Sequence, residues 1–273
     1  MGWKDVVYGP VDSRRLGKSL GINLSPLDRK ICSFDCIYCS GGETKEKKLT
    51  FGPEDSFSLN YIREELGRGF DYHKQNKTII DYISVVGVTE PTIYPEFLGF
   101  VDLFFSLVSK CFPGKPTAIF TNCTNLGKEK VRLALQRFNR RFFKLDAGDE
   151  ETFQKINRPA ENIYLEKIVK NLTKIPLVEL SVGVIDSSNG NYSSLQSQSF
   201  LNIVKKIKPI RIYVYDMDRP IPTEHGFKMM RTSEERLVEL ADYLSGNTGI
   251  EIIMLRAKKS RGVHDLVRSL YSG

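Results

Sequence analysis

The spacing of apolar residues along the chain restricts its fold more than any other feature. Short runs typical of β-strands alternate with longer segments of helical period. After an irregular N-terminal stretch, strands are predicted at residues 22–24, 82–86, 117–120, 141–145, 178–185, 210–215 and 250–254. Helices are predicted at residues 59–70 with Ser58 as N-cap, at 97–110, 127–138, 161–174, 194–206 and 233–244, around Thr152, and at the C-terminal end.

This alternation amounts to about seven successive β/α units. Such a succession predicts a parallel sheet with helices covering its face, either an open doubly wound sheet or a partial or full barrel. In both arrangements the carboxyl ends of the strands meet at one edge of the sheet. Functional residues are therefore expected in the loops that follow the strands.

The composition is that of a soluble globular protein, with 41% hydrophobic and 27% charged residues among 273. No apolar run approaches the roughly 20 residues of a membrane helix, and the N-terminus lacks a signal-peptide segment. A cytoplasmic protein without membrane contact is expected. Because no repeat or convincing linker is found, we expect a single domain over residues 1–273, with an N-terminal extension at 1–21, a core at 22–220 and a β/α extension at 221–273.

Three of the five cysteines, Cys32, Cys36 and Cys39, are spaced C-x3-C-x2-C just after the first predicted strand. An odd number of cysteines does not indicate a disulfide framework. Three thiolates on one short loop can bind three irons of a cubane cluster and leave the fourth iron open to an exogenous ligand. We interpret Cys111 and Cys123 as buried small hydrophobic residues.

A zinc site is the alternative for this cysteine triad. It would be completed by one of three histidines, His73, His225 or His264. Zinc loops usually pair cysteines as C-x2-C with two further ligands elsewhere, and this sequence has no second pair.

The cysteine spacing resembles that of the radical S-adenosylmethionine (radical SAM) superfamily. The resemblance implies a [4Fe-4S] cluster whose open iron chelates the amino and carboxylate groups of S-adenosylmethionine. It also implies that Tyr38, directly before the third cysteine, packs near the adenine, although a loop aromatic that fills core space explains this residue equally well.

A second part of the resemblance lies in the loop after the strand at residues 82–86. Gly87, Thr89 and Glu90 stand where superfamily members usually carry Gly-Gly-Glu or Gly-Glu-Pro. The resemblance implies that the backbone of this loop and the Glu90 carboxylate hold the ammonium group of the cofactor. The sequence departs from the usual pattern because Val88 and Thr89 replace glycines.

Polar residues also follow the other predicted strands, namely Thr121 with Asn122, Asp146, Asn189 and Arg219. Since the ends of parallel strands meet at one edge, these side chains are expected to converge there. Individually, each is explained equally well as a turn residue, a helix cap or a left-handed loop residue. Together they predict a cofactor pocket lined by the first four, with Arg219 placed to bind the substrate.

Several segments resemble, more narrowly, the small radical SAM proteins related to wyosine-base-forming tRNA enzymes. They are residues 9–17 (GPVDSRRLG), 19–23 (SLGIN), the cysteine loop, 89–92 (TEPT), 145–153 (LDAGDEETF) and 156–159 (INRP). This resemblance covers about residues 8 to 220. It implies a partial (β/α) barrel, reductive cleavage of S-adenosylmethionine to methionine and a 5′-deoxyadenosyl radical, and hydrogen abstraction from a substrate. The extra cysteines of the archaeal-type enzymes, which bind a second cluster, have no counterpart here.

The balance of charge bears on the substrate. Lys and Arg number 40 and Asp and Glu 33, which gives a formal net charge of +7. This charge favours an anionic substrate, such as tRNA or a nucleotide, and equally suits a generally basic protein because it is spread along the chain. Arg14 and Arg15 either bind a phosphate or carboxylate or pin the N-terminal segment to the barrel. The resemblance also implies a one-electron donor such as ferredoxin or flavodoxin.

Two other functions fit parts of the sequence. A zinc- or cluster-bearing RNA-binding module without catalysis explains the charge and the cysteines, but it leaves the polar groups at five strand ends unexplained. A radical SAM activase acting on a partner protein keeps the same cofactors, although the segment at residues 9–17 argues against it. The predicted function is therefore a radical SAM enzyme, with RNA or nucleotide modification as the expected reaction.

Overall fold

The structure, a computed structural model, describes residues 5–25, 29–55, 57–217 and 232–256. Within them the strands are β1 (Val7–Ser13), β2 (Gly17–Ile22), β3 (Ile31–Cys32), β4 (Glu46–Lys47), β5 (Tyr82–Val85), β6 (Thr117–Thr121), β7 (Arg140–Lys144), β8 (Glu179–Val184), β9 (Arg211–Asp216) and β10 (Glu251–Leu255). Eight of them form one curled half-barrel sheet in the order β1-β2-β5-β6-β7-β8-β9-β10, while β3 and β4 pair separately. Only β1 runs antiparallel to its neighbour among these eight strands. The predicted partial barrel is confirmed.

The α-helices in the described ranges are α1 (Leu59–Gln75), α2 (Phe97–Cys111), α3 (Glu129–Gln136), α4 (Glu150–Asn157), α5 (Leu165–Leu172), α6 (Tyr192–Leu195), α7 (Gln198–Ile207) and α8 (Glu234–Thr248). As predicted, Ser58 caps α1 by accepting a hydrogen bond from the Tyr61 N–H. The single helix predicted at residues 194–206 is instead divided, because Ser197 caps α7 through the Phe200 N–H. None of these helices is long and apolar enough to cross a membrane. The predicted C-terminal helix lies outside the described residues.

The N-terminal segment differs from the prediction. Residues 7–22 form a β-hairpin, in which Val7 pairs with Ile22 and Ser13 pairs with Gly17. The first parallel strand is therefore β2, which pairs with β5, and not a strand at residues 22–24. Gly17 closes the hairpin with a φ of +65°, a conformation that glycine adopts readily. The sequence of β1 lacks an alternating pattern, so this strand depends on its pairing with β2.

Side chains alternate along the strands between two faces of the sheet. Leu180, Val182 and Val184 of β8 face the helices and belong to the main apolar core. The concave face carries a smaller cluster in which Phe142 and Tyr213 pack together. The main core therefore fixes the curvature of the sheet, and the concave face remains available for a site.

The turn between β1 and β2, residues 13–17, is the hairpin tip. It crosses the concave face, where Leu16 packs in the same cluster as Leu255 of β10. Arg14 Nη1 donates hydrogen bonds to Asp216 Oδ1 at 3.0 Å and to the Leu255 carbonyl at 2.9 Å. The hairpin tip thus connects the first strands of the half-barrel to the last two.

Candidate functional site

A cavity of about 370 Å³ lies on the concave face, within the size range of small-molecule sites. Three segments that are distant in sequence border it: the cysteine loop (residues 32–39), the loop after β5 (residues 86–90) and the hairpin tip. Side chains from the sheet complete the wall, among them Phe120, Phe142, Lys144, Ser181 and Tyr215. The structure therefore gathers the segments that the sequence predicted to be functional around one space.

Cys32, Cys36 and Cys39 all border this cavity. Cys32 ends β3 and is buried, whereas the other two are partly buried. The N–H groups of Asp35 and Ile37 donate hydrogen bonds to carbonyls at the end of α4, which fixes the loop. Burial raises the pKa of Cys32 to about 12 and also raises the pKa of Cys36. These two thiols are therefore protonated unless a metal binds, and metal binding would release their protons.

Nitrogen atoms of three side chains lie near the cysteine sulfurs. Asn157 Nδ2 donates to Cys36 Sγ at 3.5 Å, and Asn122 Nδ2 lies 3.9 Å from Cys32 Sγ. Lys30 also borders the cavity. Burial opposes its charged form, but the negative charge of the nearby thiolates outweighs this effect and raises the pKa of Lys30. These nitrogen atoms favour negative charge on the sulfur atoms and offset part of the effect of burial.

The donor set of the cysteine loop fits a cubane cluster. Within the described ranges, no three His, Cys, Asp or Glu side chains converge closely enough to bind one ion. A cubane cluster places each thiolate on a different iron, so its ligands surround a shared space instead of meeting at a point. Three thiols bordering one cavity meet that requirement. Cys111 and Cys123 pack in or against the main core, as predicted.

The packing of the loop after β5 explains two of its residues. An added Cβ on Gly87 would overlap the Asn23 side chain, so glycine permits the close approach of these two segments. The Thr89 hydroxyl donates to the Ile31 carbonyl and so connects this loop to the cysteine loop. Gly87 and Thr89 both border the cavity, and their contact with the cofactor stays a prediction.

Glu90 is buried and accepts four hydrogen bonds. Its Oε1 accepts from the Thr92 N–H at 3.1 Å, the Thr92 hydroxyl at 2.6 Å and the Thr121 hydroxyl at 2.7 Å. Its Oε2 accepts from the Asn122 N–H. Burial raises the pKa of Glu90, although these donors act in the opposite direction. Glu90, Thr121 and Asn122 therefore form one connected unit in the cavity wall, where the resemblance places the ammonium group.

Asp146 lies behind the cavity wall and not among the residues that border it, and its contact with the cofactor stays a prediction. Its fully buried carboxylate accepts hydrogen bonds from the Tyr38 hydroxyl, from Asn157 Nδ2 at 2.9 Å and from the Gly183 N–H at 2.8 Å. Lys144 Nζ lies 3.5 Å from this carboxylate and donates to the Tyr38 hydroxyl at 2.7 Å. The contacts of Asp146 thus position Tyr38 and Lys144, and these two residues do border the cavity.

These contacts also change the pKa values of the two residues that Asp146 holds. Burial raises the pKa of Tyr38, and the Asp146 carboxylate raises it further. Burial is the largest single effect and would lower the pKa of Lys144, but the surrounding groups, with Asp146 foremost, together outweigh it and raise the pKa. At neutral pH, Tyr38 is therefore a neutral phenol and Lys144 a cation whose charge is already balanced.

Asn189 lies in an exposed turn after β8 and is not among the residues that border the cavity, and its contact with the cofactor stays a prediction. Asn191, two residues further, is fully buried. Its Nδ2 donates to the carbonyls of Asp146 and Gly183, both at 2.7 Å, and its Oδ1 accepts from the Ile185 N–H at 2.8 Å. This asparagine closes the loop after β8, while Asn189 occupies the outer part of the turn.

The two adjacent arginines of the hairpin tip both border the cavity but have different surroundings. Arg14 forms an ion pair with Asp216 at 3.0 Å. Arg15 donates from Nη2 to the Ser181 hydroxyl at 3.0 Å, and its Cζ lies 4.4 Å from the centroid of the Tyr215 ring. Arg219, the third arginine predicted to bind the substrate, lies outside the described residues.

Sequence reasoning missed several polar residues of the cavity wall, among them Lys30, Lys144, Ser181 and Tyr215. Two of them could have been predicted from the sequence. Lys30 stands two residues before the first cysteine, and Lys144 shares the face of Phe142 by the two-residue period of a strand. Ser181 and Tyr215 lie within strands whose sequences predict only burial. Nothing in the local sequence indicates that they belong to a site.

Comparison with known proteins gives distant relatives, and none of the protein-family models matches the chain. UPF0026 protein MJ1312 of Methanocaldococcus jannaschii is 36% identical over 235 residues, which is 82% of this chain and 66% of that protein. A UPF0026 protein of Helicobacter pylori strain J99 is 29% identical over 88% of this chain and 74% of its own. A Brachyspira hyodysenteriae protein named GTPase Obg is 32% identical over 90% of this chain but only 34% of its own. The chain therefore spans less than two thirds of the length of the first and third of these proteins.

Solved structures of similar fold are found at low sequence identity. A radical SAM methyltransferase from Sphaerobacter thermophilus aligns with a TM-score of 0.62 over 90% of this chain and 67% of its own, at 12% identity. TYW1 with a lysine–pyruvate adduct bound aligns with a TM-score of 0.55 over 86% of this chain and 76% of its own, at 14% identity. Together with the half-barrel and the cysteine loop at its cavity, these similarities confirm the resemblance predicted from the sequence: the chain has the fold of the radical SAM superfamily.

Proposed function

We propose that this protein is a radical SAM enzyme that holds a [4Fe-4S] cluster on Cys32, Cys36 and Cys39 and uses it to cleave S-adenosylmethionine. The observation that carries the proposal is the position of three thiols from one loop on the wall of the half-barrel cavity. When bound, such a cluster supplies the electron that splits the cofactor into methionine and a 5′-deoxyadenosyl radical, which abstracts a hydrogen atom from the substrate. A one-electron donor such as ferredoxin or flavodoxin provides that electron.

The residues of the cavity wall bind and orient the cofactor in this proposal. Glu90, Thr121 and Asn122 form a unit beside Cys32, because Asn122 lies close to the Cys32 sulfur as well as bonding to Glu90. The Glu90 carboxylate matches a cofactor ammonium group in charge. Tyr38 is held in one orientation by Asp146, so its ring is prepared for stacking against a flat base.

The hairpin tip and the half-barrel shield the reaction. Because the tip crosses the concave face as far as Asp216 and Leu255, the cavity is bordered on that side by protein. Enclosure excludes water and stray hydrogen donors from a reactive intermediate.

The substrate is anionic in this proposal, with tRNA or a nucleotide as the first candidates, and the enzyme works in the cytoplasm. The net charge of +7 supports an anionic partner. Filter binding of bulk tRNA across a salt series tests the RNA candidate, because a protein that contacts phosphates loses affinity steeply as salt rises. A flat salt response shifts the substrate to a small molecule.

The experiment that tests the proposed function is anaerobic reconstitution followed by measurement of 5′-deoxyadenosine. With reductant and S-adenosylmethionine, the wild-type protein is expected to release 5′-deoxyadenosine. Replacing any one of Cys32, Cys36 and Cys39 by alanine is expected to abolish it. The double variant Cys111→Ala/Cys123→Ala is the matched control and keeps the activity. Release that persists in the three single variants contradicts the proposal.

A further inference from the structure

We propose that Arg15 forms a binding site for the carboxylate of a small, flat and apolar monocarboxylic acid. The site lies inside the cavity, between the Arg15 guanidinium and walls formed by Phe120, Phe142 and Tyr215. The binding itself does not depend on radical chemistry. The identification of this acid as the substrate rests on the radical chemistry of the proposed function, and the acid would take the place of tRNA or a nucleotide as that substrate.

The first argument is that Arg15 is a cation without a matching anion. Within the part of the chain that the structure describes, it forms no ion pair, and its hydrogen bond is to the neutral Ser181 hydroxyl. Its Nε is buried without a hydrogen-bond partner. Burial lowers the pKa of Arg15, yet a guanidinium stays charged at neutral pH. An unmatched charge in a partly buried position among aromatic rings is costly, so its presence indicates a ligand that supplies the missing negative charge.

The second argument is the balance of charge around the cavity. Two of the other positively charged side chains that border it in the described ranges face carboxylates, Arg14 facing Asp216 and Lys144 facing Asp146, and Lys30 donates a hydrogen bond to the Gly42 carbonyl at 2.6 Å. Arg15 therefore remains the basic side chain beside the aromatic rings that faces no carboxylate, and a monoanion would balance it, whereas Glu90 of the same cavity is assigned to the cofactor ammonium group in the proposed function. A carboxylate has that charge and matches two N–H groups of a guanidinium in geometry. A phosphate monoester, with a charge near −2, would leave excess negative charge among aromatic rings.

The third argument concerns the body of the ligand. Phe120 and Phe142 stack on each other with centroids 4.5 Å apart, and both border the cavity. The Arg15 guanidinium lies over the Tyr215 ring, which occupies one of its faces, so a carboxylate approaches its N–H edge. Aromatic walls beside a single charged group favour a flat apolar body with one carboxylate.

The position of the site relates it to the cysteine loop. Lys144 Nζ lies 3.3 Å from the Tyr215 hydroxyl and 2.7 Å from the Tyr38 hydroxyl. Tyr38 in turn lies between the second and third cysteines of the loop. A single layer of side chains therefore separates the Arg15 site from the cysteine loop. A ligand held by its carboxylate at Arg15 would point its apolar body into the space between them.

Ligand-observed NMR and calorimetric titration of the full chain, with and without a reconstituted cluster, test the site. Benzoate is the probe, and benzamide and phenyl phosphate are its neutral and more highly charged counterparts. We expect benzoate to bind at least tenfold more tightly than either counterpart. Arg15→Met is expected to weaken benzoate binding at least tenfold, and Ser181→Ala several-fold, because it removes the hydrogen bond that orients the guanidinium. Arg63→Met, on the exposed face of α1, is the control and leaves binding unchanged.

Three results would overturn the proposal: no preference for benzoate over benzamide, tighter binding of phenyl phosphate, or unchanged benzoate binding by Arg15→Met. If Arg15→Met does not fold, two other measurements test the site. They are the affinities of the three probes for the wild-type protein and the affinity of benzoate for the Ser181→Ala variant. Failure of this site leaves cluster assembly and 5′-deoxyadenosine release intact. Failure of the proposed function leaves benzoate binding to the cluster-free protein intact, so the two failures are distinguishable.

Discussion

The cysteine loop and the hairpin tip border the same cavity but are built in different ways. The cysteine loop places three thiols within eight consecutive residues, and hydrogen bonds to the end of α4 hold it. The hairpin tip depends on partners 202 and 241 positions away, Asp216 and Leu255. Short-range spacing therefore specifies one end of the site, while the tertiary fold specifies the other.

The hairpin tip contains a second contrast, between Arg14 and Arg15. These neighbours have the same charge and border the same cavity, yet one is paired with a buried carboxylate and the other is not. Arg14 is thus a structural residue that attaches the tip to β9, whereas Arg15 is available to a ligand. The following predictions test these two contrasts.

The largest effect on folding is expected for Arg14. Arg14→Met leaves the Asp216 side chain, 6% exposed, without its cation. This should lower the free energy of unfolding by about 3–5 kcal/mol, the usual cost of removing one partner of a buried pair. Arg15→Met should lower it much less, since Arg15 has no carboxylate partner and loses only the hydrogen bond to Ser181 and its contacts with aromatic rings. Urea denaturation measures both, with Arg63→Met as the surface control, and equal losses for Arg14→Met and Arg15→Met would remove the contrast.

The next effect concerns the unit formed by Glu90 with Thr121 and Asn122. Glu90→Gln removes the negative charge proposed to hold the ammonium group and should weaken S-adenosylmethionine binding by about 1.5–3 kcal/mol, about ten- to a hundredfold. The iron content should stay unchanged. Calorimetric titration gives the affinity, with Glu96→Gln on an exposed position as the control. Unchanged affinity would show that Glu90 only braces the cavity wall.

A smaller effect is expected from Lys30 at the cysteine end of the cavity. A positive charge beside the sulfurs stabilises the more negative, reduced state of a cluster. Lys30→Met should therefore lower the reduction potential by tens of millivolts. Potentiometric titration followed by electron paramagnetic resonance measures the shift, and Lys130→Met, on the exposed side of α3, is the control. Identical potentials for the two variants would remove Lys30 from the surroundings of the cluster.

The smallest effect concerns the support of the cysteine loop by Asp55. Hydrogen bonds from Lys48, and from Arg29 at 3.0 Å, hold the pKa of Asp55 at about 2, below the value of about 3.9 in an unfolded chain. Because the folded pKa is the lower one, the stabilisation is present above about pH 4 and is lost as the pH falls towards 2. Asp55→Asn should make the free energy of unfolding less dependent on pH between about 4 and 2. Denaturation followed by circular dichroism between pH 2 and 6 measures the free energy of unfolding. If the control Asp71→Asn reduces its dependence on pH as much as Asp55→Asn does, that dependence does not come from Asp55.

The sequence predicts the half-barrel because its strands and helices carry strong apolar patterns. The strands predicted at residues 82–86 and 117–120 are observed as β5 and β6, with ends that differ by one residue. The N-terminal hairpin escapes prediction because β1 has no such pattern and is stabilised by pairing with β2. Its role at the cavity therefore becomes visible only in the folded chain.

In the candidate site, too, some residues are predicted from local sequence and others depend on the tertiary fold. Cys32, Cys36 and Cys39 are identified by spacing alone, and all three reach the cavity. Asp146 follows a strand like a pocket residue, but its carboxylate is buried under Tyr38. The sequence does not reveal that burial, because it depends on residues from distant segments.

The central claim is that the three cysteines hold a cluster and not a single ion. Metal analysis of protein purified without oxygen tests it most directly, with electron paramagnetic resonance after reduction, before and after addition of S-adenosylmethionine. The account predicts about four irons per chain, no stoichiometric zinc, and a signal of the reduced cluster that changes when the cofactor binds. Stoichiometric zinc with no iron would contradict it.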